Sequence, residues 1–163
     1  SAKMQDIARL ADVSASLLYS YFENKEKLFE GVVTSVPFDF DRIAREEESV
    51  LADTPSERFR IAAEGPLLDM LAHHKRLVIL IDKSRGTAYE HAKDDFVESI
   101  ERHIRRMVNE RAPLRYPDLL AHVLASNFVE SLMEVARHYS NEDEARDMLA
   151  LIAQCYYEGV NSL

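Results

Sequence analysis

The sequence predicts an all-α protein in which a small N-terminal helix-turn-helix module precedes a larger helical domain. The 163-residue chain holds only four glycines and five prolines, so long stretches lack the residues that commonly end helices. Between such residues, apolar side chains recur at the three- and four-residue spacing of amphipathic helices. Pro37 ends the last helix of the module, so we assign residues 1–36 to the module and residues 37–163 to the larger domain.

The N-terminal module is predicted to contain three short helices. Ile7 and Leu10 share one face of the first helix. Asp12 stands where that helix must stop, and Asp tolerates a left-handed backbone better than most residues. Ser14 and Asn24 are suitable N-caps for the second and third helices. Helices this short cannot fold alone, so they must pack as a cluster that presents one helix outward, which is the geometry of a helix-turn-helix.

Residues 4–33 resemble the TetR family of bacterial repressors. The resemblance rests on Ile-Ala in the first helix, Val-Ser at the turn, Leu-Tyr-x-Tyr-Phe in the second helix and Asn-Lys-Glu-x-Leu after it. It implies that Tyr19, Tyr21 and Lys25 contact DNA phosphates, while residues 14–17 face base edges in the major groove. The predicted DNA-binding residues are Ser14, Ala15, Ser16, Leu17, Tyr19, Ser20, Tyr21 and Lys25.

Three positions depart from the TetR pattern. Asp12 stands where the family usually has Gly, Ala15 where it often has Lys, and Ser16-Leu17 where it often has Gly-Thr. Loss of the Lys removes a backbone or base contact, and Leu17 suggests an apolar contact such as one with a thymine methyl. The operator sequence therefore cannot be inherited from the family.

The module is also expected to be incomplete at its N-terminus. The family places a further helix before the one that carries Ile7, and here only residues 1–3 precede that helix. Residues 1–36 carry four basic and five acidic side chains. Since phosphate neutralisation supplies much of the affinity for DNA, this charge argues against DNA binding. The motif outweighs it, and the additional helix would supply further basic residues.

The overall composition indicates a cytoplasmic protein. The net charge of −9 lies almost wholly after residue 36, so DNA contact is left to the module. Cys155 is the only cysteine, which excludes an internal disulfide framework and fits a reducing compartment. No apolar run approaches the roughly 20 residues that span a bilayer, so we expect no membrane partner.

The first half of the larger domain has clear boundaries in the sequence. Residues 38–49 are predicted to form a connecting helix whose acidic end, residues 46–48, is exposed. Residues 54–57 form a capping box with proline in the first helical position, which begins the next helix. That helix should kink or restart at residues 65–66, and the apolar residues 67–83 should be buried.

The next boundary is predicted at Gly86, which resembles a helix C-cap. Residues 87–90 form a second capping box that should open the following helix. The apolar face of that helix would contain Phe96, Ile100, Ile104 and Val108.

The last two helices carry more apolar surface than a terminal hairpin can hide. The first begins at residues 116–118 and runs to about Tyr139, and residues 141–144 cap the second. Both could simply complete the monomer core. TetR-like proteins pair such helices into a four-helix bundle across a two-fold axis, and we adopt that interpretation. Gly159 costs a helix about 1 kcal/mol relative to Ala, which suits close approach of a partner backbone. The predicted homodimer interface comprises Leu120, Leu124, Phe128, Leu132, Met148, Ile152, Cys155, Tyr156, Gly159 and Val160.

The resemblance also implies that the larger domain binds a small-molecule effector among its central helices. Methionine and aromatic residues line adaptable apolar cavities that carry a few polar anchors. Each candidate could equally be an ordinary core residue. The candidates are Met70, His73, Leu77, Tyr89, Phe96, Phe128 and Met133.

Nothing in the sequence supports catalysis or metal binding. The six histidines lack a metal-ligand spacing, so solvated or core histidines are the better interpretation. Residues 90–91 and 94–95 could pair as acid and base, but a solvated helix face is the default for such a charged run. There is no phosphate-binding glycine loop, nucleophile elbow or Cys/His dyad signature. We therefore predict no catalytic residues, no metal and no cofactor.

The predicted function is that of a TetR-like transcriptional regulator, a repressor released from double-stranded operator DNA by a small-molecule effector. Two other classes stay open. One is a helical homodimeric protein-interaction module without operator binding, and the other is a small all-α enzyme.

Overall fold

The computed structural model describes residues 3–36, 39–111 and 118–161. Within these ranges all regular structure is helical, which confirms the predicted fold class. The chain divides into two compact units, Ser1–Ser35 and Val36–Leu163, which we call the head and the larger unit. Pro37, to which we assigned the end of the third helix, lies outside the described residues.

The head contains three helices, α1 (Met4–Leu10), α2 (Ala15–Tyr21) and α3 (Lys25–Val33). The predicted caps are present: Ser14 Oγ accepts a hydrogen bond from the Leu17 N–H at 3.0 Å, and Asn24 Oδ1 accepts one from the Lys27 N–H at 2.9 Å. Asp12 has a φ of 54°, as its place in the turn predicts. Local side-chain chemistry therefore determines where these helices begin and end.

The larger unit packs around one continuous apolar core. Helix α5 packs against α4 and α9, α7 packs against α4 and α8, and α8 also packs against α6 and α9. Helix α8 is long and apolar enough to cross a membrane by length and composition, but its buried face belongs to this core. The helices are α4 (Phe40–Ser49), α5 (Pro55–Ala72), α6 (His74–Asp82), α7 (Ala92–Arg111), α8 (Asp118–Arg137) and α9 (Glu142–Asn161).

The predicted restart at Gly65 and Pro66 is wrong, because α5 runs through both residues and ends at Ala72, just before His73. A proline inside a helix costs about 3 kcal/mol, since it removes a backbone hydrogen bond and crowds the preceding turn. The flanking residues Ala63 and Leu67 are 1% and 4% exposed in the core between neighbouring helices. Their burial offsets the cost, so tertiary packing overrides the local signal.

The helix predicted to open at Thr87 begins five residues later. Thr87 Oγ1 instead accepts from the Tyr89 N–H at 3.1 Å, and the Glu90 carboxylate accepts from the Gly86 N–H at 3.0 Å. These hydrogen bonds close successive turns, so Thr87 and Glu90 stabilise the connection between α6 and α7 and do not cap α7. Gly86 has the positive φ expected of it, 77°, but lies four residues beyond the end of α6.

Helix α8 begins at Asp118, the last of the three residues at which its start was predicted. The other two, residues 116–117, lie outside the described residues. The predicted caps of α5 and α9 are present. Thr54 Oγ1 accepts from the Glu57 N–H at 3.2 Å, and Asn141 Oδ1 accepts from the Glu144 N–H at 2.9 Å. The side chain of Val108 lies outside the described part of the chain.

Candidate DNA-binding surface and ligand cavity

The predicted DNA-binding residues all lie on or beside α2, and the structure leaves them accessible. Ala15 is half-buried and the other seven are exposed. The exposed fractions of Leu17, Tyr19 and Tyr21 are 46%, 52% and 76%, which are high values for apolar and aromatic side chains. An outward-facing helix with large exposed side chains suits contact with another molecule.

Helix α2 is held against α3 by Phe22, which follows its last residue. A Cβ atom added to Gly31 would lie 2.9 Å from the Phe22 ring, closer than real Cβ contacts come. Gly31 therefore allows the ring to pack directly on the α3 backbone. On the other side, the Val13 N–H donates to the Ala8 carbonyl at 3.0 Å and closes the turn after α1.

Ion pairs within the head use at least two of its four basic side chains. Lys27 Nζ lies 2.7 Å from a Glu30 carboxylate oxygen, and the Arg9 guanidinium lies 3.7 Å from Asp6. Both pairs join neighbouring turns of one helix. The electrostatic field of the head is therefore weaker than its count of basic residues suggests.

The larger unit contains an aromatic cavity among α4, α5, α7, α8 and α9, with a volume of about 10 Å³. That volume admits about one water molecule. Its lining residues are Phe40, Phe59, Ile100, His103, Ile104, Phe128, Tyr156 and Tyr157.

Phe59 lies at the centre of the aromatic rings around this cavity. Its ring centroid is 4.9 Å from that of Tyr157, 5.9 Å from that of Phe128 and 6.2 Å from that of Phe40. Tyr156 extends the cluster, 5.1 Å from Phe128 in an edge-on arrangement. Such distances are typical of favourable aromatic pairs, so the rings form one connected apolar wall.

His103 forms the polar end of the cavity, and Glu47 contacts it from outside the lining; the two residues are 8% and 7% exposed. His103 Nε2 lies 3.2 Å from Glu47 Oε2 and 3.2 Å from the Tyr157 hydroxyl. Within the described part of the chain, neither Glu47 Oε2 nor the Tyr156 hydroxyl has a hydrogen-bond partner. Burial raises the pKa of Tyr156 well above its usual value, so this hydroxyl stays protonated.

Burial of Glu47 corrects the prediction that residues 46–48 form an exposed acidic end. Phe40, Ile43, Ala44 and Glu47 share one face of α4, and all four are buried. The apolar spacing of that face is visible in the sequence, and the burial of the Glu47 carboxylate could have been predicted from it. Its partner His103 lies 56 positions further along the chain, so the contact between the two residues could not be predicted from local sequence.

Polar contacts on both sides of this buried pair join α4 to α7. The Arg102 guanidinium lies 3.4 Å from an Asp41 carboxylate oxygen, and the Ser99 hydroxyl donates to the same carboxylate at 3.4 Å. Near the end of α4, Arg106 lies 3.1 Å from Glu48. These polar contacts therefore join α4 to α7 near both ends of α4.

The seven predicted pocket residues are not gathered around this cavity, and Phe128 alone of them lines it. His73 Nδ1 donates to the Asp69 carbonyl at 2.9 Å where α5 meets α6, and Tyr89 is half-buried in the turns before α7. The remaining four are core residues at most 2% exposed: Met70, Leu77, Phe96 and Met133.

Two of the predicted interface residues, Phe128 and Leu132, are 3% and 0% exposed in the single chain. Their assignment to the interface is corrected, because side chains enclosed in the monomer core cannot reach a second copy. The side chain of Val160 lies outside the described residues. Leu120, Leu124, Ile152 and Tyr156 are half-buried, whereas Met148, Cys155 and Gly159 are exposed.

Helices α8 and α9 each bury one face and leave further apolar side chains exposed. Leu119, Val123 and Leu151 are 67%, 43% and 55% exposed. A Cβ atom added to Gly159 would meet nothing within 4 Å, so contacts within this chain do not require a glycine there.

The residues weighed as an acid–base pair lie on the surface. His91 Nδ1 is 3.4 Å from Asp94 Oδ2, with both side chains more than 70% exposed. Over residues 3–36, 39–111 and 118–161, no three His, Cys, Asp or Glu side chains are grouped to hold a metal ion.

Comparison with known proteins locates the similarity in the head. Residues 1–32 match the family model described as bacterial regulatory proteins, tetR family, and this match includes all of α1 and α2 and most of α3. No curated protein and no solved structure matches the chain.

Proposed function

We propose that the chain is a TetR-like regulator, a homodimeric transcriptional repressor released from its operator by a small molecule. The family match over residues 1–32, which ends in the exposed helix pair α2 and α3, is the observation that carries the proposal. This similarity supports a DNA-binding regulator, and we propose repression, dimerisation and release in addition.

Contact with DNA is assigned to α2 and the residues beside it. Tyr19, Tyr21 and Lys25 would contact phosphates and position the head, while Ser16 and Leu17 would face base edges. The large exposed fractions of Leu17 and Tyr21 support this assignment. Phosphate contacts make binding to DNA of every sequence weaken as the salt concentration rises. Base contacts make the protein prefer one operator sequence over others.

Dimerisation is assigned to the exposed faces of α8 and α9. Met148, Cys155 and Gly159 follow one stripe along α9, and Leu119 and Val123 lie on the outer side of α8. A second copy would cover this apolar surface. Two heads on one face of the duplex must reach successive major grooves, about 34–36 Å apart or a multiple of that distance.

Release of DNA is assigned to the aromatic cavity and to α4. This helix carries Phe40, which lines the cavity, and Glu47, which contacts the lining residue His103, and it is the first helix after the head in the chain. A ligand that enlarges the cavity would displace α4 and favour a dimer whose heads miss the groove spacing. Linkage then requires operator DNA to lower the affinity for the ligand by the same factor.

A mobility-shift titration with DNA from upstream of the protein's own gene tests the proposed DNA binding. Lys25→Ala should weaken binding to every sequence and flatten the salt dependence by about one unit of slope, because one phosphate contact is lost. Lys75→Ala, an exposed lysine of the larger unit, is the matched control and should change neither quantity. Absence of any shift with the unaltered protein would refute the regulator, and unchanged binding by Lys25→Ala would refute the phosphate contact.

A protein-interaction module without operator binding is the second candidate. It is favoured by the charge of the head, where four basic side chains face five acidic ones and two of the basic ones are paired with carboxylates. The same titration separates the two candidates, since a module of this kind would leave DNA of every sequence unshifted at low salt.

A further inference from the structure

The cavity in the larger unit has a wall of aromatic rings, and the buried Glu47 carboxylate lies 3.2 Å from its lining residue His103. We propose that the effector is a lipophilic organic cation, an aromatic molecule with a protonated amine or amidine, and that Glu47 pairs with its charge. The inference rests on the proposed function in taking this cavity as the effector site.

The first argument is the incomplete pairing of Glu47. A carboxylate that is 7% exposed is costly unless hydrogen bonds or an opposite charge compensate it. His103 Nε2 faces both Glu47 Oε2 and the Tyr157 hydroxyl at 3.2 Å, and a single ring nitrogen cannot donate fully to both. His103 Nε2 lies within ion-pair distance of Oε2, but this oxygen accepts no hydrogen bond from the described residues. A cationic N–H group would supply the missing donor together with the opposite charge.

The second argument is the nature of the walls. Five of the eight lining residues are Phe or Tyr, and none is Lys or Arg. Aromatic rings attract cations through their quadrupole and give a flat apolar body a large contact area. The nearest arginines on α7, Arg102 and Arg106, are paired with Asp41 and Glu48 at the rim. An anionic effector would meet the Glu47 carboxylate without a guanidinium to balance it.

The third argument is the position of Glu47 on α4. At a volume of about 10 Å³ the cavity cannot hold an aromatic molecule, so binding requires the His103 ring and α4 to move apart. The ion pairs that fasten α4 to α7 are about half or more exposed, and such pairs contribute little to stability. A cation bound to Glu47 would therefore act directly on the helix that follows the head.

Three probes with one naphthalene body test the sign of the charge: naphthylmethylammonium, naphthalenemethanol and naphthoate. Calorimetric titration of the whole protein should show the ammonium binding at least about tenfold more tightly than the alcohol, and the carboxylate most weakly. Equal or tighter binding of the carboxylate, or no binding of the ammonium, would overturn the proposal. This comparison uses the unaltered protein, so it does not depend on the folding of a variant.

A pair of variants then assigns the charge to one residue. Glu47→Gln should weaken ammonium binding about ten- to a hundredfold and leave the alcohol nearly unchanged. Glu46→Gln makes the same change of charge on the exposed side of α4 and should bind the ammonium as the unaltered protein does. Undiminished ammonium binding by Glu47→Gln would remove Glu47 from the site.

Mobility shifts measured on the same samples keep the two proposals apart. Ammonium binding that depends on Glu47, without any DNA shift, would retain the cation site and refute the regulator. A DNA shift with no preference for the ammonium would retain the regulator and overturn the cation site.

Discussion

Asp12 occupies a backbone conformation that most residues avoid. At a φ of 54°, its Cβ approaches the following carbonyl oxygen, which costs L-residues roughly 1–2 kcal/mol. Asp and Asn tolerate this region best after glycine because their short polar side chains can bond to the local backbone. The turn between α1 and α2 is therefore a point where one side chain sets the stability of the head.

We expect Asp12→Gly to stabilise the head and Asp12→Ala to destabilise it by about 1 kcal/mol. Amide hydrogen exchange in α1 and α2 measures this difference, since it reports on the head separately from the larger unit. Asp12→Asn, which keeps a short polar side chain that tolerates this conformation and removes the charge, is the control and should exchange like the unaltered protein. Similar exchange rates for the Ala and Gly variants would contradict this account of the turn.

In the proposed complex, Glu30 would compete with DNA phosphates for Lys27, since the two side chains lie 2.7 Å apart. Glu30→Gln should raise the affinity for any DNA several-fold and steepen its salt dependence, because Lys27 can then neutralise a phosphate. Mobility-shift titrations over a range of salt concentrations measure both effects. Glu142→Gln breaks a comparable pair with Arg146 in the larger unit and should leave DNA binding unchanged. A weaker complex with Glu30→Gln would show that the pair positions Lys27 for DNA.

The starts of helices were predictable because capping is local. Ser14, Asn24, Thr54 and Asn141 each accept a hydrogen bond from an N–H group three residues later, as their sequences imply. The course of α5 through Pro66 was not predictable, since it depends on packing against α4 and α9.

The cavity was predictable only in part. Phe128 was named as a lining residue, but Phe40, Phe59, His103 and Tyr157 were not. They lie on four different helices, and nothing in their local sequence indicates which faces meet. The exposed face of α2, in contrast, follows from an ordered motif within one short segment, which explains why its placement agrees with the sequence.

Helices α6, α7 and α8 are joined by a cluster of charges around Arg137. Its guanidinium lies 2.8 Å from Asp82 on α6 and 2.5 Å from Glu130, which in turn lies 2.6 Å from Lys93 on α7. The hydrogen bond from Arg137 lowers the pKa of Asp82, and those from Lys93 and Arg137 lower the pKa of Glu130. Both carboxylates therefore favour the folded state when they are ionised.

These lowered pKa values fix the sign of the pH dependence. Stabilisation by the cluster is complete above the unfolded pKa values of about 3.9 for Asp and 4.3 for Glu, and it is lost as the pH falls through the lower folded values. Arg137→Gln should reduce the free energy of unfolding at pH 7 by about 1 kcal/mol, a modest loss because the side chains are a quarter or more exposed.

Urea denaturation between pH 7 and pH 3 measures this effect, and the Arg137→Gln variant should lose less stability over that interval than the unaltered protein. Arg45→Gln removes an exposed arginine 3.8 Å from Asp39 and serves as the control. Parallel pH curves for the unaltered protein and Arg137→Gln would exclude a role for Arg137 in acid sensitivity.

At the scale of the whole molecule, the proposed dimer depends on the charge of the chain and on the exposed faces of α8 and α9. The net charge of −9 makes copies of the chain repel one another at low salt. In the proposed dimer, association would therefore come from apolar contact. The exposed side chains of Leu119, Met148 and Leu151 provide such contact outside the core.

Gly159→Leu should convert the proposed dimer to a monomer without unfolding it, since an added Cβ would meet nothing within 4 Å among the described residues. Sedimentation at several concentrations measures the assembly, and circular dichroism measures the helix content. Gln154→Leu places the same leucine side chain at another exposed position of α9 and should leave the proposed dimer intact. A monomeric unaltered protein at micromolar concentration would refute the interface.

Ile100 and Ile104 line the same cavity as the rings of Phe59, Phe128 and Tyr156. Circulating electrons in aromatic rings displace the magnetic resonance frequencies of nearby methyl protons, upfield above a ring face and downfield at its edge. The chain has no tryptophan, so only phenylalanine, tyrosine and histidine rings produce these displacements. A ligand that binds among these rings should therefore shift the methyl proton resonances of the two isoleucines. Magnetic resonance spectroscopy can detect binding in the cavity through these shifts.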